Sequence, residues 1–478
     1  MSTTARLLAP LRSAALLRPL APAMAATSAS SRLLHTTSSQ AHVDTSSTDG
    51  NQPQGHLPGK ASSVFLTSLN DSFFDKVTPN VLSGSNNAQG GIPTFRLLDG
   101  TGKLLPGVTD AMLDITKQEA VRMYETMMLL PVMDVVLYNA QRQGRISFYM
   151  TSHGEEAAVI GSAAGLDHSD EVFTQYREMG VLVWRGMHLD DMMNQVFGNE
   201  GDMGKARQAP IHFGNPSLHF HNVSSPLATQ LPQAAGAGFA LKRTKGRENN
   251  VVICYCGEGA ASEGDFHAGL NIAATTKAPV IFFVRNNGFA ISTPSTEQFC
   301  GDGIASRGPG YGMLTIRVDG NDALAVRAAV KEAKAKCLAE SRPVLIEAMT
   351  YRVGHHSTSD DSSAYRSRDA VENWKKMDNP LHRMRSFLSE RGWWNDEMEE
   401  EIKKTARKRV IDAMNRAEKK KRPSVTSMFE DIYSGELPQN LKEQRAELAR
   451  LVKKYGKSEV WAKELNKHAE EGRDLEKY

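Results

Sequence analysis

The residues most able to do chemistry lie in two short runs about 30 residues apart, Cys256-Gly-Glu-Gly-Ala-Ala-Ser262 and Arg285-Asn-Asn-Gly288. A glycine turn that opens a helix presents backbone N–H groups to an anion such as a phosphate. Glu258 places a carboxylate inside that turn, and a carboxylate repels a phosphate unless a cation lies between them. The pairing therefore reads as a diphosphate held through a divalent metal. Glu258 and the side-chain oxygen of Asn287 would be hard oxygen ligands, as suits Mg²⁺. The flanks supply the elements such a site needs. Val251 to Cys256 is an apolar, β-branched run expected to form a buried strand, and Val280 to Val284 is the next. Ser262 is placed to cap the intervening helix, with Glu263 and Asp265 in its first turn. Each half alone is ordinary: Asn-Gly after a strand is commonly a turn, and the Gly-x-Gly lacks the third glycine of a dinucleotide fingerprint, Ser262 standing there.

The elements around these runs alternate. Helical periodicity starts near Thr116 and runs to about Ala140. Ile92 to Asp99 is strand-like, Val344 to Met349 is a strand, and Asp322 to Ser341 is a helix before it. Strands alternating with helices to about Ala348 predict an α/β fold, a parallel sheet covered by helices on both faces. From about Ala370 charged helical stretches dominate, Glu397 to Lys421 among them. Further constellations sit at expected strand ends. Phe173 to Gly180 carries Arg177, which suits either a phosphate or an exposed ion pair. Ser224 to Gln230 is a hydroxyl-rich turn before a small-residue helix; it suits either capping or a monovalent cation held by carbonyls and hydroxyls. Tyr351 to Ser367 holds His355 and His356 in a Ser/Asp-rich loop. Ligands bind at the carboxyl ends of parallel strands, so His356 is a candidate proton donor or acceptor, and Ser357 and Ser367 are candidate phosphate acceptors. Gly204 to His212 is a basic loop to which the sequence assigns no role.

Bulk properties narrow the class. A net charge of +2 over 478 residues suggests no nucleic-acid partner, and no apolar run reaches the length of a membrane helix. The four cysteines (254, 256, 300, 337) form no CxxC pair, and Cys254 and Cys256 alternate to one face of a strand as small hydrophobes. Residues 1–43 lack Asp and Glu, carry Arg6, Arg12, Arg18 and Arg32 among Leu, Ala and Ser, and lack a continuous apolar core. That is the composition of a mitochondrial transit peptide. Residues 44–91 are expected to be a flexible arm, 92–370 the ligand-binding domain, and 371–478 a charged helical region.

Gly-Asp/Glu-Gly followed by Asn-Asn across one βαβ unit resembles the thiamine diphosphate and Mg²⁺ binding motif. Taken with Gln141 to Met150, Ser224 to Gln230, Gly257 to Thr293 and Gly354 to Ser367, the chain over about residues 92–460 resembles the alpha subunits of mitochondrial 2-oxo acid dehydrogenase complexes. It resembles the branched-chain members more than the pyruvate-specific ones, which are the alternative. The resemblance implies a thiamin-diphosphate-binding fold with an N-terminal extension and a C-terminal helical region. It implies oxidative decarboxylation of branched 2-oxo acids in the mitochondrial matrix, with acyl transfer to a lipoyl group. Its implied cofactors are thiamine diphosphate, Mg²⁺ and K⁺.

For matched positions it implies that Gln175, Tyr176, Arg177, Ser225 and Leu227 contact the cofactor. Gly257, Gly259, Ala260 and Arg285 would cradle the diphosphate. Glu258, Asn287 and the Phe289 carbonyl would bind Mg²⁺, and Ser224, Pro226, Thr229 and Gln230 would hold K⁺. His356 would contact the diphosphate and act catalytically, and Ser357 and Ser367 would be phosphorylated. The implied partners are a beta subunit in an α2β2 heterotetramer, a lipoyl acyltransferase core, and a regulatory kinase and phosphatase. The chain departs from the pattern at Phe289, at Met179 and in a longer C-terminal tail. Only the diphosphate half of a thiamine site is visible in this sequence, so the chain alone is expected to be inactive. A nicotinamide-dependent enzyme would have a third glycine at 262 and no acid in the turn. A non-catalytic scaffold would be expected to lose Glu258, Asn287 or His356.

Overall fold

Seven parallel strands form the centre of the molecule, in the spatial order β1-β2-β8-β9-β5-β4-β3. They are β1 (Phe65–Leu66), β2 (Thr94–Phe95), β3 (Glu171–Phe173), β4 (Val252–Gly257), β5 (Val280–Asn286), β8 (Leu314–Asp319) and β9 (Val344–Met349). A two-residue antiparallel pair, β6 (Phe289–Ala290) with β7 (Thr293–Pro294), lies beyond the end of β5. This computed structural model describes residues 65–66 and 92–477. The expected transit peptide, and most of the expected arm, lie outside the described residues. The arm nevertheless supplies β1, which pairs with β2 at the sheet edge.

Parallel strands need both faces covered, and the period-two pattern of the strands supplies two apolar faces. Ile253, Tyr255, Ile281, Phe283, Ile316, Val318 and Ile346 point into one core. That core includes the helices Lys117–Arg142, Glu156–Ala164, Met179–Trp184 and Ala323–Glu340. Val252, Cys254, Cys256, Val280, Phe282, Val284 and Leu345 point into the other, beneath the helices Gln230–Leu241 and Gly264–Thr276. Cys254 and Cys256 thus share a buried face, as their spacing predicts, and Cys300 is exposed. Three further helices follow: Arg368–Met377, whose Trp374 packs in a small separate cluster with Tyr351 and Val353, then Pro380–Glu390 and Asp396–Glu418, which extend the first core. The expected boundary at 370 falls inside the first of these. No described helix is long and apolar enough to cross a membrane.

Local signals set several helix starts. Thr116 accepts a bond from the Glu119 N–H, and Asp322 accepts from Leu324 and Ala325, so both cap their helices. Asp322 uses its other oxygen on the N–H groups of Leu97 and Leu98, tying the segment just after β2 to the helix it caps. Ser262 does not cap. It ends a short 3₁₀ turn, Ala260–Ser262, its hydroxyl accepts from Gln298, and the helix begins after Glu263 with no side-chain cap.

Candidate functional site

Four chain segments meet at the carboxyl ends of β3, β4, β5 and β9 and enclose a cleft of about 160 Å³. From β4 come Gly257 to Ala260, and from β5 come Arg285, Asn287, Phe289, Ala290 and Ile291. Gln175, Tyr176 and Arg177 follow β3, Arg352 and His356 follow β9, and Leu227 enters from the turn before Gln230. The Gln175 side chain accepts from the Gly257 N–H at 2.9 Å, fastening two of these segments together. Gly259 is required where it stands, because a Cβ there would lie 2.6 Å from the Ala290 methyl.

Glu258 is the chemical centre of this cleft. It is 2% exposed. One carboxylate oxygen accepts only a long 3.4 Å bond from the Asn287 N–H, and the other has no partner. Burial, with Glu155 nearby, pushes its pKa up to about 7. A buried carboxylate oxygen without a donor is costly unless a cation completes it, so the donor set fits a hard divalent ion. Asn287 donates from its amide nitrogen to Glu155 (3.1 Å), and its amide oxygen accepts from the Phe289 N–H (3.2 Å). One lone pair of that oxygen is left for a ligand. Among the described residues no group of three or more His, Cys, Asp or Glu is arranged around a metal; the expected set needs one carboxylate, one amide and one carbonyl.

Beneath the cleft lies a wired layer of charge. Glu155 accepts from Arg285 (2.7 Å), Asn287 and Thr350, and Arg177 stands 3.8 Å away. Burial works to raise the pKa of Glu155, but Arg285 and then Arg177 overrule it and hold the carboxyl below its usual range. Arg285 also binds Glu178 at 2.6 Å, so its guanidinium is shared between two buried carboxylates at the floor of the cleft. Arg177 is 4% exposed, which excludes the exposed ion pair; it binds the carbonyls of Thr151 and His356.

His356 Nδ1 faces Arg177 (3.4 Å) and Arg352 (3.3 Å). Guanidinium groups only donate, so Nδ1 is the acceptor and Nε2 carries the proton. Burial and these two cations push its pKa down to about 3. Asp360 and Glu155 pull the other way but are outweighed, so the imidazole is neutral in the physiological range, and its available proton is the one on Nε2. The candidate proton donor or acceptor read from the sequence therefore stands in this cleft as an N–H donor through Nε2.

The loop carrying His356 is pinned internally. Asp360 accepts from the His356 N–H (2.7 Å) and the Tyr365 hydroxyl (2.6 Å), and Arg366 donates to the carbonyls of Arg352 and Gly354. Ser357 is half-buried at the rim of a neighbouring pocket. Ser367 is exposed and caps the helix Arg368–Met377 through the Ala370 N–H (3.1 Å).

The Ser224–Gln230 turn does not cap its helix. Thr229 makes no cap bond and donates instead to the Pro226 carbonyl (3.4 Å). Gln230 donates to the Tyr255 carbonyl of β4 (2.8 Å), so the turn is tied to the strand that carries Glu258. Ala228 sits at φ 66° and Ile211, in the basic loop, at φ 65°. Each left-handed non-glycine residue costs about 1–3 kcal/mol, and Ile, being β-branched, is the more strained.

Sequence reasoning missed Glu155, Glu178 and Arg352. Their signals were present but weak: Gly154-Glu-Glu before a helix of small residues, Glu178 directly after Arg177, and Arg352 three residues past the end of β9.

Comparison with known proteins accords with this geometry. The family described as Dehydrogenase E1 component matches residues 124–426. The protein named 2-oxoisovalerate dehydrogenase subunit alpha, mitochondrial, of Bos taurus is 52% identical over 85% of this chain and 87% of its own. Its Homo sapiens counterpart is 52% identical over 84% and 86%. The Arabidopsis thaliana subunit alpha 1 is 52% identical over 76% of each chain. With a parallel sheet, a cleft at its strand ends that holds a buried carboxylate without donors, and matches of this extent, the chain belongs to the dehydrogenase E1 component family.

Proposed function

We propose that this chain is the alpha subunit of the decarboxylating component of a branched-chain 2-oxo acid dehydrogenase complex, acting in mitochondria. The observation that carries the reading is Glu258, buried and half without partners, beside Asn287 at the ends of two adjacent parallel strands. The names of relatives 52% identical over 85% of the chain favour a branched 2-oxo acid over pyruvate.

Thiamine diphosphate would supply the electron sink that lets a 2-oxo acid lose carbon dioxide. The chain's own part is to bind and orient. Glu258, the Asn287 amide oxygen and the Phe289 carbonyl would hold Mg²⁺, whose charge would offset the repulsion between the Glu258 carboxylate and a diphosphate. The turn Gly257 to Ala260 brings backbone close to the phosphates, and Arg177 adds positive charge. Arg285 is the inner support of this cradle, fixing Glu155 and Glu178. Gln175, Tyr176, Ser225 and Leu227 line the path to the rest of the cofactor. Ser224, Pro226, Thr229 and Gln230 would hold K⁺, which would stiffen the turn already tied to β4. His356 donates from Nε2; an anion brought beside it offsets Arg177 and Arg352 and raises its basicity, which suits it to move a proton during acyl transfer to a lipoyl disulfide.

The aminopyrimidine half of the site is supplied by a beta subunit in an α2β2 assembly, which also docks on a lipoyl acyltransferase core. Residues 1–43 are the transit peptide, 44–91 the arm, 92–370 the cofactor domain and 371–478 the helical region. A kinase and a phosphatase act on Ser357 and Ser367. Phosphate at Ser357 adds about two negative charges to a loop whose fold depends on the Asp360–Tyr365 and Arg366–carbonyl bonds.

The test is carbon dioxide release from 2-oxoisovalerate and from pyruvate, with the cognate beta chain, thiamine diphosphate and Mg²⁺. Preference for the branched acid, and no turnover by this chain alone, is the expected result. Preference for pyruvate would keep the site and reassign the substrate.

A further inference from the structure

The basic loop Gly204–His212, to which the sequence assigns no role, ends in a side chain with an unusually constrained contact. His212 is 5% exposed. Its Nδ1 lies 3.0 Å from the Pro210 carbonyl and its Nε2 lies 2.7 Å from the Ser225 hydroxyl. A carbonyl only accepts, so Nδ1 carries the proton, Nε2 is the acceptor, and the Ser225 hydroxyl is the donor between them. The single hydroxyl proton of Ser225 is thereby taken up by the protein, and Oγ offers only lone pairs to anything else. Ser225 lies two residues before Leu227, which lines the diphosphate cleft.

The backbone shows that this contact is imposed. Ile211, immediately before His212, is buried in the left-handed region, as is Ala228 on the other side of the contact. Buried Gln195 holds the strained turn from two directions, accepting from the Ile211 N–H at 2.9 Å and donating to the Ala209 carbonyl at 2.8 Å. The Val223 N–H donates to the Phe213 carbonyl, and Gly214 allows Asn222 to approach where no Cβ would fit, so the segments bearing His212 and Ser225 are clamped side by side. Strain that its surroundings over-determine in this way marks a positioned group.

We infer that His212 is a positioning residue: it fixes the Ser225 hydroxyl as an acceptor-only contact for an amino or N–H donor on the organic part of the cofactor, and not for its phosphates. The inference rests on the thiamine diphosphate reading of the cleft. It makes a prediction that a general stabilising role does not, since loss of His212 weakens binding of the whole cofactor and spares binding of its diphosphate.

The experiment measures Mg²⁺-dependent affinity for thiamine diphosphate and for inorganic pyrophosphate, on the chain assembled with its beta subunit, for wild type, His212→Phe, His212→Gln, Ser225→Ala and His212→Phe/Ser225→Ala. Expected are a loss of about 10–100-fold for thiamine diphosphate in His212→Phe, of the order seen when an orienting partner is removed, and unchanged pyrophosphate affinity. His212→Gln, which keeps one acceptor and one donor, should restore most of the loss. The double variant should be no worse than Ser225→Ala, because both changes remove one contact. Should His212→Phe fail to assemble, His212→Asn, too short to reach Ser225, takes its place. Equal losses for both ligands, no rescue by Gln, or multiplying losses in the double variant would each overturn the role of His212 and leave the cleft's assignment standing. A wild type that binds neither ligand would overturn both.

Discussion

Two glutamates buried at one end of the same sheet have opposite fates. Glu347, in β9, accepts from Asn286 (2.8 Å), the N–H groups of Ile304 and Ala305 (2.9 Å each) and Arg317 (3.1 Å). Burial works to raise its pKa, but Arg317 and these donors hold the carboxyl below its usual range. Glu258, just past β4, has one long bond and an oxygen with none, and burial pushes it up to about 7. The adjacent asparagines divide in the same way: Asn286 donates to the saturated carboxylate, while Asn287 faces the unsaturated one. A buried acid supplied with donors is scaffold, and a buried acid denied them awaits a ligand.

That contrast is open to attack. Glu347→Ala should be the most damaging change, costing about 3–5 kcal/mol because Arg317 keeps its burial and loses its inner partner; chemical denaturation measures it, and a cost under 1 kcal/mol would dissolve the distinction. Glu258→Ala should do the reverse. Mg²⁺-dependent thiamine diphosphate binding should fall by roughly 100-fold or more, as a direct ligand is worth at least as much as an outer one, while the melting temperature holds or rises. Unchanged affinity in calorimetry would remove the metal from Glu258.

Ser357→Glu should come next, reducing turnover of the assembled enzyme several-fold by setting charge within the pinned loop; full activity would separate that loop from control. The smallest effect concerns His356. Its folded pKa of about 3 lies below its ordinary value. Between those values the unfolded chain binds the proton and the native one does not, so stability contributed by neutral His356 is present above pH 6.5 and lost as pH falls toward 3. His356→Asn should therefore flatten the decline of stability in that window, and identical slopes in acid titrations of the two proteins would refute the cationic surroundings drawn for the ring.

How much was legible follows the same division. Glu258 and Asn287 could be read because ligand chemistry demands particular atoms at particular backbone positions, and the strands around them because burial on two faces demands apolar alternation. Glu155 and Glu178 were illegible because their meaning lies in Arg285, more than a hundred residues away. Ser262 misled for a local reason: it has the right chemistry for a cap, but a 3₁₀ turn consumes it before the helix begins. The burial of Arg177, which inverted the exposed-pair reading, depends on packing that no short window records.

Asp322 carries a further consequence, one of time. Its carboxylate receives the backbone of Leu97, which lies 225 residues earlier, and β2 pairs only with β1 and β8. At ribosomal speeds of about 5–20 residues per second, roughly 10–45 s separate the appearance of that segment from the appearance of its anchor. Throughout that interval Phe95, Leu97 and Leu98, all buried in the finished molecule, lack the neighbouring strand and the carboxylate that hold them there. The same order holds for a chain threaded N-terminus first through a membrane pore. The β2 edge of this sheet thus closes only after β8 and Asp322 have been made, and a chaperone's hold on the nascent chain would matter there.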